Sequence, residues 1–271
     1  MASHAELTSA GRSFWIVDLA SAPDALKTLP HQGRILCKSL LDGLAIQGGD
    51  GMAPWLIHPT DAGASKIVGQ RMEGLAQRCP AVIGIQSALL FDDLFARLQR
   101  RLCAETEDGD RWLLRWYDPR VLGELAHAMD AQKRGDFLSC ADIWTYWDRD
   151  GAERTLSASS SLGDCLAQPF VLPQPVWQHL LQVSEAGQVL YEYGQRWPEE
   201  LQRHTASAAF GHAFCACKEA ENLQMHSLRE RLQLMALALN NDGLGGSEWP
   251  MKREQLRQAP GLLDSWVEAL T

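Results

Sequence analysis

The segment 111–122 constrains the possible folds of this chain more than any other. Its residues 112–117 are aromatic, aliphatic or arginine without helical spacing, so they predict an extended strand with apolar groups on both faces. A strand of that kind is covered on both sides by the rest of the protein. We therefore expect Trp112 and Trp116 in the core, and we expect Arg115 to need a partner because a buried charge alone is costly.

The residues after this strand predict the start of an α-helix. Asp118 suits the N-cap, because its carboxylate can accept hydrogen bonds from the free amides of the first turn. Pro119 suits the next position, because its φ is preset and it has no amide hydrogen to lose. Apolar residues between Val121 and Met129 then recur on one helical face. The sequence thus predicts a strand that runs directly into a capped helix.

The charged side chains at this junction allow two interpretations. Asp118 could be a catalytic carboxylate at a strand end, with Arg115 and Arg120 binding an anionic ligand near the helix amides. Alternatively, Asp118 caps the helix and the two arginines form ion pairs within the fold. We prefer the second interpretation, because a cap already explains an Asp before a Pro.

The same segment carries a family resemblance. The string Arg115-Trp116-Tyr117-Asp118-Pro119-Arg120-Val121-Leu122 resembles the signature of the type VI secretion adaptor family, the Tap or Tec effector chaperones. The resemblance extends over residues 14 to about 150, a length typical of one domain. It implies a cytoplasmic bacterial protein that binds a cognate secreted effector and promotes its loading onto the spike (VgrG-like) protein. It also implies a structural role for the residues of the motif, namely Arg115, Tyr117, Asp118, Pro119 and Arg120.

The composition argues against several classes of partner. The chain has 271 residues with 46% hydrophobic content, enough for one large or two modest domains. Its formal net charge of -9 gives no global attraction for nucleic acid or an anionic membrane, so we expect neither as a partner. Seven scattered cysteines and the lack of an apparent signal peptide predict reduced thiols and a cytoplasmic location.

The order of the patterns predicts two domains. Strands alternating with helices predict an α/β N-terminal lobe, with a mixed sheet and flanking helices, over residues 14–150. A serine-rich stretch followed by prolines predicts a linker over residues 151–172. Apolar residues at helical spacing predict a mainly α-helical C-terminal lobe over residues 173–271. One of its helices, within 199–220, is rich in Ala and Gly and should let a neighbour approach closely.

The tryptophans suggest where a partner binds. The chain has 10, many for its length. Several lie near predicted loops or helix ends, where an aromatic ring can anchor a partner. We predict four of them as partner-binding residues: Trp144, Trp147, Trp177 and Trp197.

Metal, nucleotide and catalytic motifs are not apparent. His212, Cys215, Cys217 and His226 offer metal-binding atoms, but positions 215 and 217 point in different directions on one helix. The Cys-x-x-Cys spacing of common zinc sites is also absent. The glycine-rich stretch 48–51 lacks the spacing of a phosphate-binding loop. We therefore expect no metal, no cofactor and no catalytic residue.

Two functional hypotheses follow. The first is a non-catalytic cytoplasmic adaptor that binds a secreted effector, as the resemblance implies. The alternative is a small-molecule α/β enzyme that uses Asp118, Arg115 and Arg120 at a strand end, which the fold class permits without supporting. We favour the adaptor, because no second catalytic group occurs at a recognisable spacing from Asp118.

Overall fold

The computed structural model describes residues 11–29, 33–44, 52–158, 166–240 and 244–268. The chain divides into two compact units, residues 1–177 and residues 178–271, which we call the first unit and the second unit. The first unit combines strands with helices, whereas the described part of the second unit contains helices without strands. The predicted fold class, an α/β N-terminal lobe followed by a mainly α-helical lobe, is confirmed.

All strands of the described residues lie in the first unit. They are β1 (Arg12–Asp18), β2 (Ile35–Ser39), β3 (Pro54–Pro59), β4 (Val82–Ser87), β5 (Cys103–Glu105), β6 (Arg111–Leu113), β7 (Ile143–Trp147) and β8 (Glu153–Ser157). Six of them form one sheet in the order β2-β3-β1-β4-β7-β8, and β5 pairs with β6 in a separate two-stranded ribbon. The ladders between named strands are antiparallel.

The helices of the described residues follow in chain order. Those that begin in the first unit are α1 (Ala62–Ala76), α2 (Phe91–Arg100), α3 (Pro119–Ala128), α4 (Ala131–Leu138) and α5 (Gln174–Arg196), which continues into the second unit. Those of the second unit alone are α6 (Pro198–Leu201), α7 (Ala206–Asn222), α8 (Leu228–Asn240), α9 (Trp249–Gln258) and α10 (Leu262–Glu268).

The position of β1 explains why the sheet is antiparallel where a mixed sheet was predicted. Helix α1 connects β3 to β4, and these two strands are parallel to each other, as the alternation of strand and helix suggested. They are not neighbours, however, because β1 lies between them and pairs with both in the opposite direction, with Ile16 opposite Leu56 and Ile83. Helix α1 buries Val68 and Met72 in a cluster with residues of β1, β3 and β4.

The strand predicted over 112–117 is shorter in the structure. Strand β6 ends at Leu113, and the chain then turns, with the Asp118 amide donating to the Arg115 carbonyl at 3.0 Å. Trp116 is 0% exposed, which confirms its predicted place in the core, but Trp112 is 49% exposed, so that part of the prediction is wrong. The reason is that β6 pairs only with β5 and is not an inner strand of the large sheet.

An aromatic cluster fills the core behind the turn. The Trp116 ring meets the Trp144 ring edge-on, with centroids 5.5 Å apart, and Phe137 stacks against Trp144. Phe170 also contacts Phe137, with ring centroids 5.5 Å apart. The buried Arg101 donates from Nε to the Phe137 carbonyl at 2.6 Å, so its charged group is hydrogen-bonded inside the core.

Part of the predicted linker belongs to the first unit. Residues 153–157 form β8 and pair with β7 at the edge of the large sheet. Phe170 is buried, and its carbonyl accepts a hydrogen bond of 2.8 Å from the Glu105 amide in β5. The division between the two units falls at residues 177 and 178, inside α5.

The second unit is held together by a helical core in which α7 packs against α8. The buried face of α7 is built from small residues, including Ala213, Ala216 and Ala220, as the sequence predicted for a closely approached helix. Leu232 and Met235 of α8 belong to the same core. Small side chains on one helix let the larger side chains of its neighbour fill the space between the backbones.

The difference in burial between Trp116 and Trp112 leads to a stability prediction. We expect Trp116→Ala to lower the free energy of unfolding by about 3–5 kcal/mol, the usual cost of removing a large buried ring. Trp112→Ala should cost about 1 kcal/mol, because its half-exposed ring loses mainly an aromatic contact. Urea denaturation of both variants measures the difference. Equal losses would contradict the burial of Trp116 and the exposure of Trp112.

Candidate functional site

The first element of the candidate site is the buried end of β1. Asp18 is the last residue of that central strand and is 0% exposed. Its carboxylate accepts from the Ala20 amide at 3.0 Å, from the Ser21 hydroxyl at 3.1 Å and from Arg115 Nη2 at 3.3 Å. The partner that Arg115 was expected to need is therefore Asp18, and the pair joins the end of β1 to the segment before α3.

The second element is the start of α3. Asp118 is the N-cap residue: its Oδ1 accepts from the Arg120 amide at 2.9 Å, and Pro119 occupies the first helical position. The Arg120 guanidinium also donates hydrogen bonds to both carboxylate oxygens, at 3.0 Å to Oδ1 and 2.8 Å to Oδ2. The predicted cap and the predicted ion pair are both confirmed, and together they engage each oxygen of Asp118.

Tyr117 and Arg149 complete this polar cluster. Tyr117 is buried, and burial raises the pKa of its hydroxyl, while the Arg115 guanidinium lies 5.7 Å from the centre of its ring. Arg149 follows β7, and burial followed by the repulsion of Arg120 lowers its pKa to about 10. We call Asp18, Arg115, Tyr117, Asp118, Arg120 and Arg149 the junction cluster. Hydrogen bonds join its residues at the end of β1 and at the start of α3, and Arg149 adds a positive charge near Asp118 and Arg120.

Two of the predicted partner-binding tryptophans belong to the core. Trp144 is 0% exposed and its indole donates to the Leu138 carbonyl at 3.1 Å. Trp147 is 6% exposed and stacks near Trp15, with ring centroids 6.5 Å apart. Their prediction as partner-binding residues is therefore corrected: both lie on β7, an inner strand of the sheet, and the first unit's own residues enclose them.

A third predicted tryptophan forms a surface pair. Trp177, in the first turn of α5, is partly exposed and contacts Trp112 of β6, with ring centroids 5.0 Å apart. Leu113 of the ribbon and Val171 are also exposed. Trp112 was missed as a surface residue because its alternation with other apolar residues resembled a buried strand. Its position in a short ribbon is what brings it to the surface.

The fourth, Trp197, lines a groove of the second unit. The groove has a cavity volume of about 770 Å³, and we call it the α5–α8 groove. Trp197, which is 41% exposed, lines it together with Tyr193. Residues of α8 and Val267 of α10 complete the lining. The sequence singled out Trp197 but not the groove, since its lining comes from helices far apart in the chain.

The cysteine and histidine residues show no metal centre among the described residues. Cys215 is exposed whereas Cys217 is buried on the other side of α7, as their spacing predicted. Burial raises the pKa of the Cys217 thiol to about 12, which disfavours the thiolate that a metal would need. Across the described residues, no group of three or more His, Cys, Asp or Glu side chains is placed to hold a metal ion. No described helix is long and apolar enough to cross a membrane.

Comparison with known proteins bears on the first unit. A family model described as Domain of unknown function (DUF4123) matches residues 13–136. The matched segment runs from β1 into α4 and contains five of the six residues of the junction cluster, all but Arg149. The searches of curated proteins and of solved structures gave no match.

The double role of Asp118 gives a second prediction. Asp118→Ala should lower the free energy of unfolding by about 1–3 kcal/mol, because both the cap and the pair with Arg120 are lost. Asp118→Asn should recover much of this loss, since its side-chain oxygen can still cap α3. Chemical denaturation provides the measurement.

Asp130 offers a matched control for that prediction. It caps α4 by accepting from the Lys133 amide at 2.8 Å, and no arginine among the described residues pairs with it in a comparable way. Asp130→Ala should therefore cost less, about 0.5–2 kcal/mol, the usual value of a cap alone. If Asp118→Asn were as damaging as Asp118→Ala in a folded protein, the charged pair with Arg120 would contribute more to stability than the cap does.

Proposed function

We propose that this protein is a non-catalytic bacterial cytoplasmic adaptor, which binds a cognate type VI secretion effector and promotes its loading onto the spike protein. The observation that carries the proposal is the string Arg115 to Leu122, which resembles the adaptor signature and lies inside the segment that matches the DUF4123 model. The two spans, residues 14 to about 150 for the resemblance and 13–136 for the model, nearly coincide.

The structural use of the signature supports a binding protein. The carboxylates of Asp18 and Asp118 accept hydrogen bonds within the fold. Arg115 donates to Asp18, and Arg120 donates to Asp118. A motif used in this way preserves a scaffold. Recognition would then depend on surface side chains outside the motif, where large aromatic residues contribute most to protein interfaces.

Exposed aromatic residues are present in both units. The Trp112–Trp177 pair lies on the first unit, and Trp197 lies on the second. An exposed tryptophan exposes a large apolar area that a partner can bury, and its two side-chain torsions cost little entropy to order. These residues are the surface features that best suit the binding of another protein.

The alternative function, a small-molecule enzyme using Asp118, Arg115 and Arg120, gains no specific support from the geometry. Arg120 donates to both oxygens of Asp118, and Arg115 donates to Asp18. A general base or nucleophile needs an oxygen directed at substrate. The geometry therefore favours the adaptor over the enzyme.

Coexpression tests the adaptor proposal. The full chain is produced with a tagged effector encoded in the adjacent gene, and the tag is used for capture, followed by size-exclusion chromatography with mass measurement. We expect a one-to-one complex and more soluble effector than in the absence of the chain. A specific interface of ordinary size buries about 1,200–2,000 Å² in total, so the complex should survive chromatography.

Two controls sharpen this experiment. An effector from an unrelated secretion cluster should not be captured, since the proposal is for a cognate partner. Purified spike protein should be retained more strongly by the adaptor–effector complex than by the effector alone. Failure to capture the cognate effector would refute the adaptor function, and capture without any effect on spike binding would limit the protein to a chaperone role.

A further inference from the structure

The α5–α8 groove has an apolar floor with the spacing of a helix-binding surface. Leu228, Leu232 and Ala236 follow one another at intervals of four on α8, so they form one stripe along the groove. Asn240 extends the stripe to the end of the helix. Its apolar part, from Leu228 to Ala236, is about 12 Å long at 1.5 Å per residue, which equals about two turns of a helix laid beside it.

A fixed aromatic pair also lines the groove. Tyr193 and Trp197 are four residues apart at the end of α5, and their ring centroids are 4.8 Å apart. Tyr193 is buried and its hydroxyl donates to the Glu200 carboxylate, and burial together with this bond raises its pKa. The Trp197 ring therefore packs against a fixed neighbour while 41% of the residue stays exposed. Such a ring can anchor a ligand without being ordered first.

The rim of the groove is rich in arginine. Arg196, Arg203 and Arg229 line it together with a single carboxylate, Glu200, which already accepts from Tyr193. Arg229 pairs with Asp264 at 2.7 Å and Arg196 with Glu192 at 3.3 Å, and the side chains in both pairs are substantially exposed. Exposed pairs of this kind are weak, so a partner's carboxylate can compete for the arginine.

Arg203 adds a positive charge to the rim that no described carboxylate pairs with. Its side chain is exposed and forms no ion pair with any residue that the structure describes. In a chain of net charge -9, an arginine without an acidic partner at the edge of an apolar groove favours a ligand that brings its own carboxylate. The groove therefore combines apolar, aromatic and cationic contacts.

We propose that the α5–α8 groove binds an amphipathic helix of the secreted effector, with apolar side chains against the α8 stripe and carboxylates towards Arg196, Arg203 and Arg229. This inference rests on the proposed adaptor function. The described residues that line it belong to helices or to the turns beside them, so they offer no strand edge for an extended peptide to pair with. An apolar stripe with residues four apart suits the ridges of a helix instead.

Two substitutions test the groove, each with a matched control. Arg203→Glu reverses the unpaired rim charge, and Lys218→Glu makes the same charge change at an exposed site on α7 outside the groove. Ala236→Glu places a charge on the floor, and Ala208→Glu makes the same substitution at an exposed site on α7. Circular dichroism and thermal unfolding of the full-length variants show whether each one is folded.

The readout is the affinity of the purified full chain for the purified effector encoded in the adjacent gene. We expect Arg203→Glu to weaken binding about tenfold and to change its salt dependence, as a rim charge does. Ala236→Glu should weaken it about a hundredfold, because a buried charge without a partner opposes docking. Lys218→Glu and Ala208→Glu should stay within about twofold of the wild type, as substitutions outside an interface do.

Crosslinking identifies the occupant. A photoreactive amino acid at position 228, in the groove, should crosslink to an effector segment with apolar residues three and four apart and a net negative charge. The same group at position 251, on the exposed face of α9, should not. A crosslink between two copies of this chain, or to an effector segment without that pattern, would overturn the proposed occupant.

The outcomes separate this inference from the adaptor function. If the wild type binds the effector and both groove variants bind equally well, the groove proposal is wrong and the adaptor function stands. If the wild type does not bind the effector, the adaptor function falls and the groove proposal falls with it. Selective loss in the two groove variants, with a crosslink from position 228, supports both.

Discussion

The buried carboxylate of Asp18 is the constraint on which the rest of the first unit depends. A charge removed from water must be hydrogen-bonded, and Asp18 meets this need with the Ala20 amide, the Ser21 hydroxyl and Arg115. Because Asp18 ends β1, the strand between β3 and β4, this bonding also fixes where the sheet meets the segment before α3. Asp118 then sets the direction of α3 by capping it.

This arrangement changes how the motif in 115–122 is interpreted. Its charged residues could have suggested chemistry at a strand end. In the structure Arg115 donates to Asp18 and Arg120 donates to Asp118, so these residues hold parts of the fold together. Functional variation can occur elsewhere on such a scaffold without disturbing it. The surfaces that we propose for recognition are the exposed Trp112–Trp177 pair and the α5–α8 groove, and each lies within one compact unit.

The second unit illustrates how a helical core can create a binding groove at its edge. Alanines on α7 allow α8 to pack closely, which places Leu234 and Met235 in the core. Leu228 and Ala236, one turn before and one turn after the buried Leu232, line the groove and are at least partly exposed. A helix with apolar residues on more than one side can therefore serve the core and a groove together.

The sequence by itself determined the features that depend on neighbouring residues. Asp118 caps α3 through an amide two residues away, and the alanine face of α7 follows from helical spacing. Contacts between distant residues needed the tertiary structure. Asp18 and Arg115 are 97 positions apart. Only the position of β7 inside the large sheet shows that Trp144 is core, and only the separate pairing of β6 with β5 leaves Trp112 at the surface. Local hydrogen bonds and periodicity can be predicted from neighbouring residues, whereas strand order and burial depend on which distant segments share a core.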